Sequence, residues 1–154
     1  MKVEMNLVVV DGDRQVTVDQ IEKLMDRYDK RGVFRTRHNY GVGFRAHFNR
    51  LIAAGQVMTA KMWANRKMVH GFLSWILIDE QRKKDVNKVM WVLPEDCSQG
   101  DILYITACLT AERGGVYKFR ERLTAKLKDK VKEVIWFNTE RGKFVRIKVK
   151  GGEL

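Results

Sequence analysis

The chain has 154 residues, of which 45% are hydrophobic and 10% aromatic, and this composition excludes a largely disordered protein. The length suits one hydrophobic core, so we expect a single domain spanning residues 1–154. Thirty Lys and Arg against nineteen Asp and Glu give a net charge of +11, which attracts acidic partners through the summed surface field. Charge alone leaves nucleic acid, an acidic protein and a phosphate-rich cofactor as candidates.

The two cysteines and the N-terminus carry little sign of secretion or of metal binding. Cys97 and Cys108 lie neither in a CxxC pair nor near histidines at metal-ligand spacing, which predicts free thiols, a reducing compartment and no metal site. Residues 1–10 hold an apolar run that is too short to span a membrane and lacks a small-residue cleavage pattern. We therefore expect a cytoplasmic protein without a membrane span.

The first elements are a strand and two helices. Leu7–Val10 is apolar and predicts a strand, and Thr17 with Gln20 forms a capping box that predicts the start of a helix. The Gly-rich residues 41–43 predict a loop before a second helix, which should end at Gly55. Apolar residues at helical spacing define the buried faces: Val18, Ile21, Leu24, Met25 and Tyr28 in the first helix, and Phe44, Phe48, Leu51 and Ile52 in the second.

A β-hairpin and further strands are predicted next. Apolar-rich residues 57–64 and 69–78 flank the polar turn 65–67, which is typical of a hairpin. The charged residues 79–88 predict a solvated loop or a short turn of helix. Two more strands are expected at 89–93 and 102–109, separated by the polar turn 95–100.

The last third of the chain alternates helix and strand. Val116, Phe119, Leu123, Leu127 and Val131 advance by three or four residues, which predicts a helix with one buried side. Residues 134–137 predict a strand, and residues 145–150 alternate apolar and basic side chains, which predicts a final strand with one basic face. The order of elements predicts a mixed α/β domain.

The junction between strand and helix at residues 110–115 is the most informative segment. Arg113, Gly114, Gly115 and Val116 stand at the start of the helix, where free backbone N–H groups and the helix dipole suit a pyrophosphate. Glycine lets a phosphate approach the backbone because it has no Cβ atom. The alternative is a tight turn without a ligand, and two adjacent glycines alone favour neither.

In its order of elements the chain resembles the coenzyme A-binding half of the GNAT N-acetyltransferases. More specifically, it is similar to the lysine acyltransferases that activate RTX toxins, a GNAT-like branch. The similarity runs from about His38 to Gly152. It is carried by the segments RHNY at 37–40, GFLSW at 71–75, SQGD at 98–101, GVYKFR at 115–120 and VKGG at 149–152.

The resemblance implies a fold and an acyl donor. The fold would be α+β, a GNAT-like mixed and mostly antiparallel sheet flanked by helices. The activity would be transfer of an acyl group, with acetyl favoured, to an amine from acetyl-CoA, from another acyl-CoA or from an acyl carrier protein, with no metal. The residues implied in holding the donor are Cys108, Leu109 and Thr110 on the strand, Arg113, Gly114, Gly115 and Val116 at the helix start, and Asn138 at the end of a later strand.

The resemblance also implies catalytic residues. His38 stands where the toxin-activating family has its catalytic histidine, and an imidazole can take a proton from an attacking amine. Tyr117 could donate a proton to the leaving thiolate. Where that family has a catalytic aspartate this chain has Ala107, so His38 would need another partner, for which Asp101 or Glu80 could serve. The alternative is an inactive domain that still binds the cofactor.

Two alternatives stay open. Cys108 is either a nucleophile or, as is more common within a strand, a small core residue. The basic final strand and four tryptophans suggest nucleic-acid binding, although tryptophans in apolar strands more often belong to the core. The alternative function is therefore a non-enzymatic basic binding module of a phage or mobile-element kind that grips nucleic acid or a host protein. A homodimer is a further option.

Overall fold

The computed structural model describes residues 7–28, 42–88, 99–111, 115–138 and 143–149. Within these ranges the strands are β1 (Leu7–Val10), β2 (Val57–Met62), β3 (Val69–Ile78), β4 (Ile102–Thr110), β5 (Glu133–Asn138) and β6 (Lys143–Lys148). The helices are α1 (Val18–Tyr28), α2 (Val42–Ala53), α3 (Glu80–Lys88) and α4 (Gly115–Leu127).

The strands form one six-stranded sheet in the order β1-β2-β3-β4-β5-β6. Every neighbouring pair is antiparallel except β4 and β5, which run parallel. A parallel pair needs a crossover connection, and α4 supplies it. The predicted mixed, mostly antiparallel sheet flanked by helices is confirmed.

Each face of the sheet carries its own hydrophobic core. On one face α1 and α2 pack against the strands, with Phe48 and Phe72 fully buried and their rings 5.9 Å apart. On the other face α4 packs through Phe119 and Leu123. Each large apolar side chain that is fully buried stabilises the fold by about 1.5–3 kcal/mol, so the two cores hold the helices firmly on the sheet.

The helix α1 begins as predicted. The backbone N–H of Thr17 donates to Gln20 Oε1 at 2.9 Å, and the backbone N–H of Gln20 donates to Thr17 Oγ1 at 3.2 Å. This reciprocal pair is the predicted capping box and satisfies two backbone donors that the helix leaves free. The predicted buried face is also confirmed, with Val18, Ile21, Leu24 and Met25 buried.

The second helix starts earlier than predicted and ends where predicted. Val42 and Gly43 already belong to α2, so the loop prediction is wrong for these two residues, and Gly41 lies outside the described residues. At the other end Gly55 has φ 72°, its N–H donates to the Ile52 carbonyl at 3.1 Å, and the Gln56 N–H donates to the Leu51 carbonyl at 2.8 Å. This is a Schellman motif, which glycine permits because it adopts positive φ without strain.

Three further boundaries differ from the sequence prediction. Residues 80–88 form a full nine-residue helix, because the Asp79 carboxylate accepts the Arg82 backbone N–H at 2.8 Å and caps it. Strand β2 ends at Met62 instead of at residue 64, so Trp63 lies beyond the strand. Helix α4 ends at Leu127, and Val131 joins the same core from beyond the helix. The strand predicted at 89–93 lies outside the described residues.

A buried ion pair fixes the entry of α1 to the sheet. Asp13 is 3% exposed, and its Oδ2 lies 2.7 Å from Lys61 Nζ and accepts a hydrogen bond from Thr59 Oγ1 at 2.6 Å. Its Oδ1 accepts the backbone N–H groups of Gln15 and Val16 at 2.9 and 3.1 Å. Burial acts to raise the pKa of Asp13, but the hydrogen bonds from Lys61, Thr59 and Gln15 outweigh it and lower the pKa below the usual 3.8.

Replacing Asp13 with Asn should remove the ion pair and leave a side chain of the same shape. We expect the free energy of unfolding to fall by about 3–5 kcal/mol at pH 7, because Lys61 would stay buried without its counter-charge. Since the pKa of Asp13 is lower in the folded than in the unfolded state, its ionised form contributes fully above the unfolded pKa, and the contribution falls as the pH drops through the folded pKa. Urea unfolding of wild type and variant at pH 7 and at about pH 3 checks both statements.

The matched control is Asp129→Asn, which removes the charge of an exposed carboxylate. It should change the free energy of unfolding little at either pH. The difference in unfolding free energy between wild type and the Asp13 variant should shrink at the lower pH. A difference of the same size at both pH values would contradict the assigned pKa direction.

Candidate functional site

Strands β4 and β5 separate part-way along their length. β5 pairs with β4 only from Ile102↔Glu133 to Ile105↔Trp136. Both strands continue past this point, since β4 still pairs with β3 as far as Thr110 and β5 still pairs with β6 as far as Asn138. In the described part of the chain, residues 106–110 of β4 therefore face a gap instead of β5.

A β-bulge in β4 lies at the closed end of this gap. The register with β3 passes from Ser74↔Ala107 to Trp75↔Ile105, so Thr106 is the extra residue. The hydroxyl oxygens of Ser74 and Thr106 are 2.6 Å apart and both residues are buried. Because a bulge bends its strand and increases the local twist, it accounts for the departure of β4 from β5 immediately after their last pair.

The exposed side of β4 suits an extended polar ligand. A strand edge presents backbone N–H and C=O groups that another extended chain can pair with. Residues 106–110 offer about 16 Å of such an edge. The gap is therefore a slot in which a linear molecule carrying amide groups can take the place of a strand.

The N-terminus of α4 lies at the outer end of the same strand. Only residues 111–114 separate β4 from Gly115, the first residue of α4. The Ala111 backbone N–H donates to the His70 carbonyl at 2.7 Å, so the chain is still tied to β3 as it leaves β4. The free N–H groups and the positive dipole of α4 thus stand next to the slot, where they suit an anionic group of the same ligand.

Helix α4 also links the two separated strands. The Arg120 guanidinium lies 4.7 Å from the centre of the Trp136 ring on β5, and α4 packs on β4 through Phe119. Sequence reasoning missed this role of Arg120. The sequence did contain a signal for it. Arg120 follows Val116 by one helical turn and therefore lies on the same side of the helix as Val116, which was assigned to the anion site.

The structure brings several of the predicted site residues to the gap. Cys108, Leu109 and Thr110 form the outer half of β4, Gly115 begins α4, and Asn138 ends β5 on the other side of the gap. Val116 and Tyr117 belong to the first turn of α4. The side chains of Val116, Tyr117 and Asn138, together with the residues Arg113, Gly114 and His38, lie outside the described part, so their roles stay predictions.

Cys108 has the properties of a core residue. It is partly buried and packs against the core on the α4 side. Burial raises the pKa of its thiol to about 12, although the nearby Arg120 acts to lower it. The thiolate is the reactive form of cysteine, and at neutral pH this thiol stays protonated. The geometry therefore favours the core alternative over the nucleophile.

The carboxylates suggested as partners of His38 lie at the other end of β4. Lys132 Nζ is 2.9 Å from Glu80 Oε1 and 3.5 Å from Asp101 Oδ2, and this cluster stands before the first residue of β4. The hydrogen bond from Lys132 lowers the pKa of Glu80. Ala107, where the toxin-activating family has aspartate, is 5% exposed and packs in the core beneath α1 and α2.

Two histidines belong to the described residues. His47 of α2 is buried, and burial together with Arg50 lowers its pKa to about 4, so its imidazole is neutral at pH 7. Its ring packs edge-on against Phe48 at 5.8 Å. His70 is buried opposite Ala111, at the end of β4 away from the bulge. His70 therefore lies at the outer end of the gap and not at its closed end.

Known proteins match this chain by their structures and not by their sequences. No protein-family model matches the chain, and no curated protein sequence matches it. Solved structures do match. The loading GNATL domain of CurA from Lyngbya majuscula has 10% identity over 86% of this chain, with a TM-score of 0.58. This chain spans 65% of the length of that one.

Two acetyltransferases match in the same way. The putative acetyltransferase from Staphylococcus aureus Mu50 has 12% identity over 84% of this chain and 78% of its own, with a TM-score of 0.54. A GNAT family acetyltransferase from Brucella melitensis, solved in complex with acetyl-CoA, has 12% identity over 96% of this chain and 90% of its own, with a TM-score of 0.51. The fold is that of the GNAT acetyltransferases. At these identities the likeness extends to the fold alone, and the specific resemblance to the toxin-activating branch stays a prediction.

Two other features bear on the expected site. Among the described helices none is long and apolar enough to cross a membrane. In the same part of the chain, no three His, Cys, Asp or Glu side chains are grouped so that they could hold a metal ion.

The assignment of Cys108 to the core predicts a slow reaction with thiol reagents. Iodoacetamide at about pH 7.5 should leave Cys108 unmodified in the folded protein and modify it in urea, because only unfolding removes the burial that keeps the thiol protonated. Mass spectrometry of the peptide that contains Cys108 gives the readout, with the urea sample as the control. Rapid modification in the folded state would restore the nucleophile alternative.

Proposed function

We propose that this chain is an N-acyltransferase that moves an acyl group, with acetyl favoured, from an acyl-CoA to an amine. The observation that carries the proposal is the gap between β4 and β5, with a bulge at its closed end and the start of α4 at its outer end. The GNAT fold supports the proposal, and one structural neighbour was solved with acetyl-CoA bound. The same slot would also take the pantetheine arm of an acyl carrier protein.

The shape of the gap supports one direction for the donor. The amide groups of the pantetheine arm would pair with the backbone of residues 106–110, as a further strand would. The pyrophosphate would bind the backbone N–H groups of Arg113, Gly114, Gly115 and Val116. The thioester would then reach the closed end of the gap, beside Thr106 and Ala107.

The proposed reaction is attack of an uncharged amine on the thioester carbonyl. A C–N bond forms, the C–S bond breaks, a base takes the proton of the amine, and the leaving thiolate receives a proton. The negative charge that develops on the carbonyl oxygen would be stabilised by backbone N–H groups of the bulged segment. The Ser74–Thr106 hydrogen bond would keep that segment in place.

His38 is proposed as the base and Tyr117 as the proton donor to the thiolate. The assignment of His38 follows the resemblance to the toxin-activating acyltransferases. Tyr117 is the weaker candidate and is proposed because a phenol can donate a proton to the thiolate. Because Ala107 replaces the aspartate of that branch and is buried, the imidazole would be oriented by a group other than residue 107. An amine on a protein side chain is the acceptor that this branch implies.

Coenzyme A should raise the melting temperature of the protein. At a concentration about one hundred times its Kd, a ligand that binds only the folded state adds about 2.7 kcal/mol of stability. For a chain of this size that corresponds to a rise of about 5–10 °C. Replacing Gly114 and Gly115 together with Val should abolish the rise, because the added side chains would keep the pyrophosphate from the backbone.

The matched control is Ala125→Val, an exposed position on the same helix but far from its N-terminus. This variant should keep the full shift. A double-glycine variant that keeps the full shift would show that the cofactor binds elsewhere.

His38→Ala should lower the rate of acyl transfer by about a hundredfold or more, since general-base catalysis contributes about this much. The KM for acetyl-CoA should change little, because the histidine acts on the amine. The wild-type rate should rise with pH through the titration of an imidazole, since only its neutral form accepts a proton. His70→Gln is the control for loss of a histidine. A rate that is flat from about pH 5 to 8 would count against His38 as the base.

A further inference from the structure

Trp63 is an exposed aromatic side chain at the tip of the β2–β3 hairpin. It is 62% exposed, whereas Trp75 is buried at 6%, so the prediction that the tryptophans belong to the core is wrong for Trp63. The guanidinium of Arg66 lies 4.9 Å from the centre of its ring. One side of the indole therefore carries a cation, and much of the side chain faces solvent.

The same hairpin forms one wall of a basic groove. The groove has a volume of about 500 Å³ and lies between α1 and the segment that leads into β3. Lys23 and Arg27 of α1 and Lys67 of the hairpin line it, together with the apolar side chains of Leu24, Met68 and Val69. The Gln20 side-chain amide donates to the Lys67 carbonyl at 2.9 Å and ties the hairpin to α1.

The described residues that line the groove include three cations, Lys23, Arg27 and Lys67. In the described residues no carboxylate lines it. Two acidic residues of α1, Asp19 and Glu22, are held by Arg45 of α2 at 2.8 and 2.9 Å instead. The groove is therefore positive and partly apolar, and Trp63 with Arg66 belongs to the same hairpin that supplies Lys67 and Met68 to its wall.

We propose that this surface, formed by Trp63, Arg66, Lys67, Lys23 and Arg27, is a binding site for single-stranded nucleic acid. Lysine and arginine contact successive phosphates along such a groove, and an exposed aromatic ring stacks with a base. A duplex hides the faces of its bases inside the stack, so the exposed indole favours a single strand. An acidic peptide would use the cations but has no need of the ring.

This site is independent of the proposed acyl transfer. Its groove is lined by α1, which packs on one face of the sheet, whereas α4 covers the other face. Binding of a strand here and binding of coenzyme A in the gap can therefore be measured separately.

The test uses the full chain and a fluorescein-labelled oligothymidylate of about fifteen nucleotides, with fluorescence anisotropy as the readout. We expect wild type to bind and the affinity to fall by about twentyfold between about 50 and 200 mM salt, as three phosphate contacts on a single strand require. Trp63→Ala should weaken binding by about 5- to 150-fold, which is the range for loss of one stacked base. Trp63→Phe should retain most of the affinity because it keeps a ring.

A second experiment tests the cationic residues with two matched double variants. Lys23→Glu with Arg27→Glu should weaken binding and reduce its salt dependence. Lys128→Glu with Lys130→Glu makes the same change of charge at exposed positions after α4 and should leave binding nearly unchanged. Equal losses in the two double variants, or unchanged binding in Trp63→Ala, would overturn the proposal. A competition experiment with polyglutamate and with unlabelled oligothymidylate gives a further check. If polyglutamate displaces the labelled strand equally well, the proposal is overturned and the surface is assigned to an acidic protein.

Discussion

The separation of β4 from β5 after Ile105 and Trp136 is the feature on which the functional interpretation depends. It follows from one extra residue, Thr106, which bends β4 where its pairing with β5 stops. The Ser74 hydroxyl, buried on the neighbouring strand, is bonded to Thr106 and holds the bulge in register. A regular strand here would have continued the ladder and left no free edge for a ligand.

The packing of the helices on the sheet maintains the gap between β4 and β5. Two cores, one under α1 and α2 and one under α4, pack against β3 and β4 from both faces and hold the bulged strand in place. Arg120 connects α4 to Trp136 on the far strand. The short connection from β4 to α4 brings the helix dipole to the outer end of the gap. Backbone donors and a positive helix end thus meet at one place without any charged residue on β4 itself.

Local patterns predicted most of the fold, and non-local contacts account for what they missed. The capping box at Thr17, the helix end at Gly55 and the strand–helix junction at Gly115 depend on a few neighbouring residues, so the sequence alone was enough. The bulge at Thr106 depends on the register with Ser74, a residue 32 positions away. The exposure of Trp63 depends on β2 ending at Met62, two residues before the predicted end at residue 64. Neither fact is contained in a local pattern.

Hydrogen exchange with and without coenzyme A tests the central claim most directly. If the donor takes the place of a strand, amides of residues 106–110 and of the first turn of α4 should exchange more slowly in its presence, because the ligand satisfies or covers them. Amides of β1 and β2, which lie at the other side of the sheet, should be unaffected. Protection confined to other segments, or no protection at a saturating concentration, would contradict the assignment of the gap as the donor site.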